Sequence, residues 1–90
     1  MTKKGGHMNK YAPLGEFLKK VPLSESKKTL AFSDLERVIN ERLPRSARQY
    51  RPWWANTTGS HVQAHAWLDS GWEVDTVDLL GETVTFRRNP

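Results

Sequence analysis

The sequence predicts an α+β domain with its helices first and a β-hairpin last, on three observations. Apolar residues recur at helical spacing between Tyr11 and Leu43, a Ser–Glu capping signature opens a helix at Ser33, and Trp72 to Arg88 is rich in β-branched and aromatic residues about a Gly–Glu break. At 90 residues the chain has room for one core, which its nine aromatic residues, four of them tryptophan, are large enough to build.

The first element runs from Tyr11 in YAPLGEFLKKVP, where Leu14, Phe17, Leu18 and Val21 share a helical face. Pro13 suits a first turn, Lys19 and Lys20 lie near the C-terminal end where the helix dipole favours cations, and Pro22 ends the helix. LSESKK then reads as a turn and TLAF as a brief strand. In SDLERVINERL, Ser33 is the expected N-cap and Glu36 its reciprocating partner; Leu35, Val38, Ile39 and Leu43 form the apolar stripe, and Arg37, Asn40, Glu41 and Arg42 face away.

Pro44 and Pro52 bracket a segment that reads either as one short helix or as an ordered loop. Arg42, Arg45, Arg48 and Arg51 recur every third residue, so a helical turn here displays most of them along one side. NTTGS is a break, after which Ser60 is the expected N-cap of a helix of about ten residues that stops at Gly71. Ala64, Trp67 and Leu68 lie on one side of it, and His61, His65 and Asp69 on an adjoining polar stripe. WEVDTVDLL and TVTFRR make the hairpin. Val84 and Phe86 share a face, while Val74, Val77 and Leu79 change parity, which predicts a β-bulge.

The resulting order is helix, short strand, two helices and a C-terminal hairpin completing a three-stranded antiparallel sheet, which is the order of a winged helix. Residues 1–8, MTKKGGHM, read as a leader or tag-derived, disordered segment, and residues 9–90 as a single winged-helix-like domain. The strings YAPLGEFL, TLAFSDLERVI, LPRSARQYRPWWAN and QAHAWLDSGWEVDTVDLLGETVTFRR resemble a small bacterial and phage domain of unknown function, marked by its WWAN and AWLxxGWxV…VTFRR blocks. The resemblance covers nearly all of residues 11–88. It implies a stand-alone or appended module and brings no activity with it.

Composition excludes several classes. Without cysteine there is no disulfide, thiolate zinc site or thiol catalysis, and no apolar run approaches the length of a membrane span; a cytoplasmic protein is expected. No glycine-rich phosphate loop is present, and the serines have no base placed by spacing, so an enzyme is not expected. His61, His65 and Asp69 stand four residues apart, but the pattern lacks the glutamate of a zinc hydrolase and a further ligand, so neither metal nor cofactor is assigned.

Charge points to a partner. Residues 1–52 hold twelve Lys/Arg against five Asp/Glu, residues 53–86 hold five Asp/Glu and no Lys/Arg, and Arg87 and Arg88 follow. The expected partner is nucleic acid, with duplex DNA favoured: Arg45, Arg48, Arg51, Arg87 and Arg88 would contact backbone phosphates, as would Asn56 or Thr57, and His61, Gln63 and His65 lie on the helix that would read bases. Alternatively the arginines pair with the acidic hairpin residues Asp75, Asp78 and Glu82. The competing function is a protein-interaction module or homodimer anchored on whichever of Trp53 and Trp54 is exposed, since alternation along an extended segment would bury only one.

Overall fold

The computed structural model describes residues 10–59 and 62–89. In chain order these form α1 (Ala12–Lys19), β1 (Lys27–Ala31), α2 (Phe32–Ile39), α3 (Arg45–Gln49), a 3-10 turn (Arg51–Trp54), α4 (Ala64–Leu68), β2 (Trp72–Asp78) and β3 (Thr83–Arg88). The domain is α+β, as its sequence predicts. The leader, Ser60 and His61 lie outside the described residues.

α1 buries Leu14 and Leu18 and packs against α2 and α4. Its approach to α4 depends on Gly15: a Cβ there would sit 2.9 Å from the Ala66 carbonyl oxygen. The Ser70 hydroxyl lies 3.1 Å from the Gly15 carbonyl and 2.8 Å from that of Ala66, joining the two helices at this point.

α2 starts earlier than the capping signature predicts. The Phe32 N–H donates to the Glu82 carbonyl (2.8 Å) and its ring is fully buried, so the chain turns from strand to helix at Phe32 with Ala31 as N-cap. The reciprocating carboxylate is therefore Asp34, whose Oδ2 accepts the Ala31 N–H (3.0 Å), and Glu36 is released for other work. At the far end Asn40 adopts φ 58°, the left-handed conformation that ends many helices.

The strands pair antiparallel in the order β1-β3-β2. Leu30, Trp72, Val77, Val84 and Phe86 line the buried face. The predicted bulge falls between Val74 and Thr76, inserting Asp75 and returning Val77 to the buried side. On the outer face Arg87 reaches both Glu73 and Asp75, Lys27 reaches Asp75 (3.3 Å), and the Thr29 and Thr85 hydroxyls bond at 2.8 Å. Two of the hairpin's four carboxylates, Glu73 and Asp75, are thus matched by cations across its own sheet.

Between helices and sheet lies an aromatic core, and here one expectation is corrected. Trp53 and Trp54 are both buried, at 9% and 3% exposure. They lie on a 3-10 turn, where successive side chains diverge by about a third of a revolution rather than alternating across a strand, so both can point inward. Trp54 stacks between Phe32 and Trp67, and Trp53 meets Tyr11 edge-on at 5.7 Å. Each such ring pair contributes about 0.5–1.5 kcal/mol beyond burial. The Trp54 Nε1–H donates to the Ala47 carbonyl and the Trp72 Nε1–H to the Leu18 carbonyl, so their burial leaves neither donor unpaired.

The helix after NTTGS is shorter than expected, spanning Ala64–Leu68. Ala64, Ala66 and Trp67 are buried, and Gly71, at φ 87°, lets the chain turn directly into β2.

Candidate nucleic-acid interface

A polar, arginine-lined cleft of about 480 Å³ lies between α2 and α3, walled by Glu36, Arg42, Leu43, Arg45, Arg48 and Gln49. Glu36 organises it. One oxygen, Oε2, accepts from the Leu43 N–H (2.8 Å) and from Arg48 Nη2 (2.8 Å), fixing the turn that carries Arg42 and leads through Pro44 into α3. Arg48 Nη1 donates to Glu82 at the hairpin (2.8 Å), and its guanidinium lies over the Phe32 ring. The Arg48 bond, joined by the Leu43 N–H, holds the Glu36 carboxyl below its ordinary pKa, and Glu36 in turn raises that of Arg48.

Arg48 is therefore a strut whose charge is matched by two carboxylates. Arg42 and Arg45 are different: both are exposed on the cleft wall and neither makes an ion pair among the described residues, though Arg42 lies near enough to help lower the Glu36 pKa. The exposed Tyr50 follows them, and then Arg51, whose Nη1 donates to the Val77 carbonyl. A carbonyl orients a guanidinium without neutralising it, so Arg51 keeps its full charge.

The other sequence-predicted contacts do not gather here. Arg87 belongs to the outer sheet face, where Glu73 raises its pKa. Arg88 turns toward the end of α1, donating to the carbonyls of Val21, Pro22 and Glu25 and lying 4.2 Å over the Trp72 ring. Asn56 is committed internally: its Oδ1 accepts from Trp67 Nε1 (3.0 Å) and the Val74 N–H (2.8 Å), and its Nδ2 donates to the Val74 carbonyl (3.0 Å). Gln63 is buried and donates to the Trp53 carbonyl (2.8 Å), so it does not reach a base edge. His65 is exposed with Nδ1 3.1 Å from Asp69 Oδ2, Thr57 is exposed, and His61 lies outside the described residues.

Sequence reasoning missed the organising role of Glu36. Its signal was present: a glutamate seven residues before Leu43 and twelve before Arg48, on a helix that turns back at once.

These features define a small α+β module with a basic cleft on its surface. A family model for a domain of unknown function (DUF7662) matches residues 11–90, and the chain belongs to that family. This agrees with the resemblance seen in the sequence. No curated protein and no solved structure matches the chain.

Proposed function

We propose that this domain is a nucleic-acid-binding module of winged-helix type that holds duplex DNA through the Arg42–Arg45 wall of the α2–α3 cleft, with Arg51, anchored at the Val77 carbonyl of β2, as a third phosphate contact. The carrying observation is that Arg42 and Arg45 stand exposed on the cleft wall with no ion pair among the described residues, beside an Arg48 that two carboxylates hold. Guanidinium forks match phosphate oxygens in geometry, and three of them give a salt slope of about −3 on duplex DNA. The β1-β3-β2 sheet with a C-terminal hairpin suits a winged helix, with α3 and the 3-10 turn as additions between its second and last helices.

Binding of this kind is backbone-led and tolerant of sequence, because Gln63 and Asn56 are turned inward. Thr57 and His65, both exposed, supply secondary contacts. From the resemblance of its sequence blocks to a bacterial and phage domain, we place its work in the cytoplasm of a bacterial or phage-infected cell.

The test is anisotropy of a labelled duplex at several salt concentrations, with wild type and the Arg42→Glu/Arg45→Glu variant. Affinity that falls with salt and drops at least tenfold in the variant, with thermal stability unchanged, supports the proposal. No binding at about 50 mM salt, where a three-phosphate contact is strong, refutes it.

A further inference from the structure

The two edges of the sheet differ. The β2 edge is closed, since Asn56 takes both the N–H and C=O of Val74, Arg51 takes the carbonyl of Val77, and the bulge interrupts the strand between them. The β1 edge is not. Phe32 N–H donates to Glu82 at one end of the β1–β3 ladder and Arg88 N–H donates to Ser26 at the other. Antiparallel alternation then directs the backbone groups of Lys28 and Leu30 toward β3 and those of Lys27, Thr29 and Ala31 outward. Asp34 occupies the Ala31 N–H. Lys27 and Thr29 present the remaining outward groups.

Beside this edge run two adjoining hollows of about 410 and 310 Å³, which share Phe17 and Lys28. Phe17, Leu30 and Val38 give them an apolar floor. Lys20, Lys28 and Arg37 make the rim; Asp34, the carboxylate in its lining, is occupied by Ala31 and Arg37, and among the described residues neither Lys20 nor Lys28 has an acidic partner.

We propose that the β1 edge and its flanking groove receive an extended acidic peptide, which adds a fourth strand antiparallel or parallel to β1, seats an apolar side chain over Phe17 and Val38, and sets carboxylates against Lys20, Lys28 and Arg37. Main-chain pairing supplies affinity in this mode, and the groove supplies selectivity. Charge decides the occupant. A second copy of the chain paired antiparallel about Thr29 would set Lys28 of the two copies diagonally across one seam, whereas an acidic strand relieves the positive rim. The groove shares no residue with the Arg42–Arg45 cleft, so the inference stands apart from nucleic-acid binding.

The test titrates the isotope-labelled protein with a capped nine-residue peptide having a Val–Thr–Ile–Thr–Val centre and two acidic residues at each end. Expected are shifts at Lys27–Ala31, Phe17 and Val38, slowed hydrogen exchange at the Thr29 amide, and at least tenfold weaker binding in Lys20→Glu/Lys28→Glu. The Arg42→Glu/Arg45→Glu variant should bind the peptide as wild type does. Shifts confined to the arginine cleft, equal binding of a peptide N-methylated along its pairing edge, self-association through β1, or silence at about 1 mM peptide would each overturn the proposal.

Discussion

Asn56 offers the sharpest test of how this fold is held. One small amide serves three partners: the Trp67 indole, the Val74 N–H and the Val74 carbonyl. In Asn56→Ala the Trp67 ring stays at 0% exposure, so its Nε1–H faces burial without an acceptor, costing about 1–3 kcal/mol. The Val74 groups lie on an exposed edge where water replaces the amide, and their loss adds about 1 kcal/mol. The sum, about 2–4 kcal/mol, is a large part of the roughly 5–13 kcal/mol typical of a domain this size. Melting temperature should fall by about 10–30 °C.

Asn56→Asp separates the contributions. It keeps an acceptor for Trp67 and the Val74 N–H but turns a donor into a charge against the Val74 carbonyl. The measurement is urea unfolding followed by tryptophan fluorescence, with hydrogen exchange of the Trp67 indole read by NMR. A loss below about 0.5 kcal/mol in Asn56→Ala, with indole protection intact, would refute the reasoning, since it would mean that Trp67 has another acceptor or that the loop carries no load.

Three further outcomes are expected. Gly15→Ala gains about 1 kcal/mol of helix propensity yet places a Cβ 2.9 Å from the Ala66 backbone oxygen, so it should be net destabilising by about 1–2 kcal/mol in urea melts. The Glu36 carboxyl has a depressed pKa in the fold, so its stabilisation is complete above the ordinary carboxylate value and drains as pH falls through the folded one. Urea midpoints of wild type should therefore drop below about pH 5, and those of Glu36→Gln, lower at pH 7, should drop less. Arg88→Met loses three carbonyl contacts and the guanidinium over Trp72, and should cost about 1.5–3 kcal/mol in the same assay.

The α+β class, the stripe of α2, the two faces of β3 and the bulge of β2 were legible in the sequence, because each rests on periodicity within one segment; the expected two helices between β1 and the hairpin proved to be three, with a 3-10 turn among them, because the Pro44–Pro52 segment has no periodicity to declare it. What escaped depends on contacts between distant segments. Arg48 reads as a surface cation until α2 and the hairpin place Glu36 and Glu82 beside it. Trp53 and Trp54 read as alternating until a 3-10 turn sends both inward. Asn56 and Gln63 read as polar contacts for a partner, but their amides satisfy backbone and indole groups that only tertiary packing brings near. Within the candidate site, arginine spacing located the cleft, and internal pairing decided which arginines remain unmatched.

The β1-β3-β2 order also sets the timing of assembly on the ribosome. The middle strand is the last of the three to be synthesised, so β1 and β2 emerge with no neighbour to pair with, and Phe32 must wait for the Glu82 carbonyl that fixes its turn. The nascent domain therefore carries two unsatisfied strands and an open aromatic core until β3 arrives, and closes in one late step. A premature stop inside β3 would remove the staple that joins both halves of the sheet, leaving a chain prone to aggregation and proteolysis.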